Sequence, residues 1–500
     1  MENSIQYFNE VCIQRFVEMR NELYQNPKNL AEYIQNLEKE LRELGRNIIA
    51  ETLGEMNQAL IDSERRKKHW VVEKHVEKEL VTSLGAVRFR KTLFTSKDKS
   101  DNDKPEMCYL LDKALGITPN QRLTDDATAR IYEEAVQTSY RRGGESVSIE
   151  DHVSKEAVKE LLHKTIYPAY IPPKEKKKVP YLYIDADEDH YHLQFRETKG
   201  DIVRNENGRK NNGAINKLIY VYEGIEDETP GGKRKKLIGA HYFCRGTNQS
   251  NESLWKEVFE YIDQTYNADM LIKIYLNADG GNWITEGAKV HAGTRFVLDE
   301  FHLSKYMSKM TRHLKDSQWD GIQELRSVVK YGKKADFEIE VERLLGYAKT
   351  EGEIDRINEG KKYILSNWGA AKLRLQRPEA IVGSSTEGHV YHILSSRMST
   401  DPLGWSLSGG SQMARLLEYY KNDGDMLVLA RYQKEELKQA AGAEELANES
   451  LKMIDETKHH RTPIEKEYGK YSECMQTSLP RYLKDAMARY NDDYYIRTWF

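Results

Sequence analysis

Residues 275–283 read YLNADGGNW: an apolar run stops on Asp279 and is followed at once by Gly280 and Gly281. Asp-Gly alone is a common turn dipeptide, so this carboxylate gains meaning only if other acids are placed to meet it. Asp185 and Asp187 stand two apart in YLYIDAD, and the period of two puts both on one face of a strand. Glu387 sits in a glycine- and serine-rich approach to a helix, IVGSSTEGHVYHILSSRM. Two aspartates and a glutamate are hard oxygen ligands, suited to Mg²⁺ and able to hold two ions. Cation binding would relieve their mutual repulsion in a cleft. The bland alternative is three unrelated surface acids in a chain with 80 acidic residues.

The acids can meet only if the strands that carry them are neighbours. YLYID (181–185), YHLQF (191–195), NKLIYVYEG (216–224) and LIGAHYFCR (237–245) read as strands joined by short polar loops, hence antiparallel. An amphipathic helix starting at Asn251 or Ser253 follows, then the strand LIKIYLNA (271–278), a short helix near 283–290 and the strand RFVLD (295–299). Strands that alternate with helices join the sheet in parallel. The strand ending at Asp279 would then lie beside the one carrying Asp185 and Asp187, at the edge where such sheets bind ligands. Residues 303–375 are charged, helix-rich and without a strand signal, and read as an insertion before Glu387.

Upstream, residues 5–66 read as helix, with Leu30, Ile34, Leu37, Leu41, Leu44 and Ile48 at heptad spacing. That stripe suits either an internal core or a dimer-forming coiled coil. KELVTSLGAVRFRKTLF breaks at Gly85 and then alternates, predicting a hairpin with Arg88 and Arg90 on a basic face. Residues 122–164 predict a helix with Asp125 and Asp126 in its first turn, a short helix through SYRRGGE, and a third helix capped by Ser154. That is the outline of a helix-turn-helix, and equally of any small three-helix bundle. IPPKEKKKVP (171–180) reads as a linker, and the chain beyond 405 as helical and polar.

At 500 residues the chain calls for several domains. Its 76 basic and 80 acidic residues leave a net charge of −4, which points to no partner, although the local runs RRKK, RFRK, KEKKK and KRKK are what a phosphate backbone requires. Cys12, Cys108, Cys244 and Cys474 lie far apart, arguing against a zinc ribbon or a disulfide framework and for a reducing cytoplasm. No apolar stretch approaches the ~20 residues of a membrane span, and the N-terminus lacks a signal core.

From about residue 70 to 425 the sequence resembles a DDE transposase of a bacterial insertion sequence, of the ISLre type and distantly Mutator-like. The matching stretches are YLYIDADEDHYHLQ, VYEGI, YLNADGGNWI, FVLDEFHLSKY, STEGHVYHILSSRM and PLGWS, with RLTDDATARIYEEAVQTSYRRGGESV resembling that family's helix-turn-helix. The resemblance implies a multi-domain α+β protein with an RNase H-like mixed α/β catalytic domain. The segments expected are a helical, oligomerising region at 1–69, a basic β-hairpin region at 70–115 and a DNA-binding helix-turn-helix at 116–170. The catalytic domain follows at 178–400, with its helical insertion at about 303–378, and then a C-terminal helical region at 401–500. It implies Asp187, Asp279 and Glu387 as catalytic acids holding two Mg²⁺ ions, with Mn²⁺ as a substitute. Asp187 is preferred because the pattern keeps ADxD while the acid two residues earlier varies; strand alternation leaves Asp185 as a rival. DEFH matches an Asp-x-x-His motif, giving Asp299 and His302 a supporting role. Arg88, Arg90, Arg141, Arg142, Lys155 and Lys159 are the expected DNA contacts. On this reading Gly280 and Gly281 leave room for a phosphodiester backbone. The partners implied are the terminal repeats of its own element and target DNA, held by a homodimer or larger assembly in the bacterial nucleoid. The rival classes are a decayed or repurposed transposase that only binds DNA, and a two-carboxylate glycosidase.

Overall fold

The computed structural model describes residues 4–99, 105–118, 120–194, 212–232, 234–246, 249–291, 293–377, 381–382, 386–400, 404–434 and 443–458. They form two compact units, one within Met1–Ala127, Val147–Asp151 and Lys434–Phe500, the other within Thr128–Ser146 and His152–Gln433. Among the described residues no helix is long and apolar enough to cross a membrane.

In the first unit the helix Leu30–Asp62 lies against an antiparallel sheet of β1 (Trp70–Thr82), β2 (Gly85–Lys99) and β3 (Pro105–Cys108). Ala50 and Leu60 of that helix join Trp70, Val87, Phe89 and Phe94 in one core. Gly85, at φ +117°, makes the β1–β2 turn that a side chain would strain. Alternation along β2 follows the expected pattern: Val87 and Phe89 are buried, Arg88 and Arg90 exposed. The exposed face is not the basic strip expected, however. The register sets Glu79 opposite Arg88 and Glu77 opposite Arg90, and Arg88 Nε donates to Glu79 Oε2 at 2.6 Å. Opposite charges facing across strands stabilise the pair, and they leave little net charge on that face. The helix Ala443–Lys458 also belongs here, burying Met453 against the core of Leu110 and Leu111. The stretch NDDYYIRTWF lies outside the described residues.

The second unit is built on β4 (Tyr181–His192), β5 (Gly213–Tyr222), β8 (His241–Gly246), β9 (Lys273–Ala278) and β10 (Thr294–Leu298), in the order β10-β9-β4-β5-β8. A separate small hairpin of β6 (Gly224–Asp227) and β7 (Lys235–Ile238) lies between β5 and β8 in sequence. β4, β9 and β10 run parallel; β5 and β8 are antiparallel to their neighbours. YLYID and the start of YHLQF, expected as two strands, are one. The acidic stretch between them stays paired, Asp187 with Leu218 and Asp189 with Asn216, because β5 continues alongside to Gly213.

One face of β4 carries Leu182, Ile184 and Ala186, which pack with Ile219 and Val221 against Leu254, Trp255, Val258 and Ile262 of the helix Asn251–Thr265. Each such buried side chain contributes roughly 1.5–3 kcal/mol. That helix is capped by Ser250, whose hydroxyl accepts from Ser253 N at 3.1 Å. Trp255 Nε1 donates to Trp283 O at 2.8 Å, and a side chain at Gly287 would collide with the Trp255 ring. The helix Asn282–Val290, and with it the loop after β9, is thereby fixed.

The insertion is helical as expected: Glu300–Thr311, Gln318–Tyr331, Lys334–Tyr347, Glu351–Ser366 and Trp368–Gln376 surround Met307, Met310, Leu325, Phe337 and Ile357. The expected three helices are Asp125–Gln137, Tyr140–Glu145 and Lys155–Lys164. They do not hang on a free linker. Arg397 Nε donates to Ala135 O at 2.8 Å, and the Tyr140 ring meets Trp405 edge-on at 5.9 Å.

Candidate functional site

The parallel ladders of β4, β9 and β10 end side by side, while β4 runs on beside β5. The last pairs are Asp185 with Asn277 and Ala278 with Leu298, so Asp279 and Asp299 are the first residues past β9 and β10. Asp187 lies two residues beyond the β4–β9 ladder. A cleft of about 530 Å³ opens at this edge, lined by Asp187, Asp189, Asp279, Asp299, His302 and Lys305 among others.

Burial pushes the Asp187 carboxyl up to about 6, with the Asp279 charge adding to it; the backbone N–H of Glu188 and the nearby His302 act the other way. Asp279 is held from two sides. Its Oδ1 accepts from Gly281 N at 2.9 Å, and its carbonyl accepts from the Tyr363 hydroxyl, supplied by the insertion, at 2.6 Å. Gly280 has φ +91°, and a Cβ there would come within 2.8 Å of the Asn367 side chain. Its glycine identity thus follows from a left-handed backbone pressed on the insertion, a different cause from the open approach expected.

Asp299 caps the helix Glu300–Thr311, accepting from His302 N at 3.1 Å and standing 3.2 Å from His302 Nδ1. Burial alone would raise its carboxyl, but the bonds from His302 hold it below the usual range. His302 is raised in turn, first by the bond to Asp299 against the cost of burial, then by Asp279 and Asp187. The Asp-x-x-His pair thus puts a basic group among the acids.

Asp185 separates from Asp187 here. It is fully buried, accepting from Tyr220 and Tyr222 hydroxyls at 3.0 and 3.1 Å and from Asn277 Nδ2 at 2.8 Å. Arg374 lies behind it, donating from Nη2 to Asn277 Oδ1 at 2.5 Å and from Nε to Leu298 O at 2.9 Å. Both aspartates share a strand face as expected, yet only Asp187 lines the cleft.

Glu387 belongs to the short helix Thr386–Val390; its side chain lies outside the described ones. That helix is anchored beside β4. His389 stacks on Tyr220 at 5.0 Å, and the following residues, Tyr391–Ser395, wind as a π-turn, a form frequent at functional sites. Ser395 and Ser399 then donate to Asp189 Oδ1 at 2.6 and 2.9 Å. Among the described residues no three His, Cys, Asp or Glu side chains cluster as a metal site. Asp187 and Asp279 nevertheless supply two hard oxygen donors to one cleft, the donor class that Mg²⁺ takes.

Sequence reasoning missed Asp189, Asn277, Tyr363, Arg374, Ser395 and Ser399. Only Asp189 left a signal, since it continues the alternation of Asp185 and Asp187. Of the expected DNA contacts, Arg141, Arg142, Lys155 and Lys159 are exposed on two helices that pack together in the second unit. Arg88 and Arg90 belong to the first.

A family model described as "Uncharacterised protein family (UPF0236)" matches residues 23–436. A UPF0236 protein of Caldanaerobacter subterraneus subsp. tengcongensis is 32% identical over 459 residues, covering 90% of this chain and 89% of its own. Another from that strain, 31% identical over 438 residues and covering 86% of each chain, carries eleven locus designations. The UPF0236 protein in the vanSb 3′ region of Streptococcus gallolyticus is 23% identical over 412 residues, covering 79% of this chain and 84% of its own. Among solved structures, the Drosophila P element transposase strand transfer complex aligns with 70% of this chain and 94% of its own, at 9% identity and a TM-score of 0.21. With nine-tenths of its length matched at nearly one residue in three, the chain belongs to the uncharacterised protein family UPF0236.

Proposed function

We propose that this protein is a DDE-type DNA transposase, which binds the ends of its own mobile element and cleaves and joins DNA strands with Mg²⁺. The observation that carries the reading is the sheet order β10-β9-β4-β5-β8, with Asp187 on β4 two residues past its pairing with β9, Asp279 just past the end of β9, and both lining one cleft. Three antiparallel strands continued by two parallel ones are what an RNase H-like catalytic domain would have, and the order supports that reading. A relative present at eleven loci of one strain is what an element that copies itself through a genome would leave, and supports the same reading.

Asp187, Asp279 and Glu387 would hold two Mg²⁺ ions, with Mn²⁺ as a substitute. When bound, such a pair supplies charge stabilisation for both attacking and leaving oxygens of a phosphodiester. The chain's own part is placement. Tyr363 and Gly281 fix the Asp279 loop, Asp299 orients His302, and Asp189 ties the Glu387 helix to β4. No side chain need form a covalent intermediate. Water cleaves the strand at the element's end, and the freed 3′-hydroxyl then attacks target DNA. Arg141, Arg142, Lys155 and Lys159 would lie along the terminal repeat.

The test is incubation of the protein with the DNA that flanks its own gene, with Mg²⁺ and with chelator. Nicks at the element's ends that need the metal support the reading; no cleavage of such ends with Mg²⁺ or Mn²⁺ overturns it. A carboxyl raised to about 6 beside a second acid is also what a glycosidase uses. That rival predicts sugar hydrolysis undiminished by chelator.

A further inference from the structure

The helix Leu30–Asp62 turns an apolar stripe to solvent over its first nineteen residues. Leu30, Ile34, Leu41 and Ile48 are 52%, 54%, 51% and 46% exposed, and Leu37 and Leu44 are half-buried. The helix buries a different set of residues, namely Glu40, Ala50, Asn57, Ala59 and Leu60. A single exposed leucine is ordinary; six leucines and isoleucines at alternating spacings of four and three, four of them exposed, form a seam. The seam has ends. Pro27 precedes it, and the next two heptad positions after Ile48 are Glu51 and Glu55.

We propose that this seam pairs with the same seam of a second copy of the chain, as a parallel two-stranded coiled coil. The occupant follows from how residue types are sorted. With Leu30, Leu37 and Leu44 at the d positions, Ile34, Leu41 and Ile48 fall at a, and isoleucine at a with leucine at d favours two parallel strands. The flanking residues agree on orientation. In the parallel pair Tyr33 faces Glu38 of the second copy, and Glu40, at the next flanking position, is buried within its own chain, so no like charges meet. A fully overlapped antiparallel pair would set Glu38 against Glu38, which is unfavourable. Glu40 is already engaged within its own chain by Arg15 Nη1 at 2.8 Å. The inference rests on the first unit alone and stands apart from the transposase reading.

Sedimentation of the full chain at tens of micromolar tests it. The unsubstituted protein should run at twice its 58.2 kDa chain mass, and the double variant Ile34→Glu, Leu41→Glu at the monomer mass with an unchanged circular dichroism spectrum. A monomeric or larger unsubstituted species, or an unchanged mass in the double variant, overturns the proposal. If the double variant fails to fold, oxidation of a Leu37→Cys variant decides. Parallel seams bring the two position-37 sulfurs together, so a disulfide-linked dimer should form that the unsubstituted chain and a Lys39→Cys variant do not give. A dimer without that cross-link overturns the parallel seam.

Discussion

Ser395 Oγ lies 2.6 Å from Asp189 Oδ1, joining the strand that carries Asp187 to the helical segment that begins at Thr386 and carries Glu387. Asp189 is almost fully buried, and its other oxygen, Oδ2, has no hydrogen-bond partner among the described residues. A buried carboxylate half-used in this way is costly to keep, and what it secures is the seat of the helix. We predict that Asp189→Ala lowers strand cleavage ten- to a hundredfold while binding of element ends persists. Asp189→Asn, which keeps an acceptor for both serines, should recover most of the rate. Equal activity of Asp189→Ala and the parent would show that the anchor is dispensable.

The two aspartates of β4 should fail differently. Asp187→Ala, Asp279→Ala and Glu387→Ala are each expected to abolish cleavage and leave folding and DNA binding intact. Asp185→Ala removes the acceptor of two tyrosines and an asparagine beside a buried guanidinium. It should cost about 2–4 kcal/mol of stability. Urea melts alongside cleavage assays separate the two outcomes, and a fully stable Asp185→Ala protein would contradict the assignment of that residue to the fold.

A pH dependence follows from Asp187. Its carboxyl titrates near 6 in the fold, against about 3.9 in an unfolded chain. Between those values the folded state keeps a proton that the unfolded state has lost, so stability falls as pH rises from about 4 to 6 and the full cost remains above 6. In the presence of chelator, Asp187→Asn should therefore be more stable than the parent at pH 8 by on the order of 1–3 kcal/mol, and no more stable at pH 4. A stability difference that does not change across that range would refute the shift.

DNA binding should depend unequally on the arginines. Arg141→Ala with Arg142→Ala is expected to weaken binding of element ends and to flatten the plot of log affinity against log salt by about two counterions. Arg88→Ala should matter less, because Glu79 already holds that guanidinium. Filter binding at several salt concentrations checks both; a larger loss for Arg88→Ala would move the DNA path onto the hairpin.

The second unit's parallel strands were legible in the sequence because they end on signals: Asp279 with two glycines, Asp299 before a helix. The helical insertion was legible from what it lacked. What hid was long-range or depended on register. Whether Asp185 or Asp187 meets the cleft depends on Tyr220, Tyr222 and Asn277, whose hydroxyls and amide claim the first, and local periodicity is the same for both aspartates. That the hairpin face is not basic depends on the register, which alone sets Glu79 opposite Arg88 and Glu77 opposite Arg90. No pattern within the insertion announces that Tyr363 and Arg374 reach back to the strand ends.

Arg374 has a consequence for how the molecule is made. It bonds to Asn277, 97 positions earlier, and to Leu298, 76 positions earlier. A chain leaves the ribosome in order, so Asp187 and Asp279 emerge while the guanidinium that closes their edge is still unmade. Any product cut short before Arg374 lacks the donor for both the Asn277 amide oxygen and the Leu298 carbonyl. Such late, long-range closure is slow to form, and it makes the acidic end of the sheet among the last parts of the second unit that synthesis can complete.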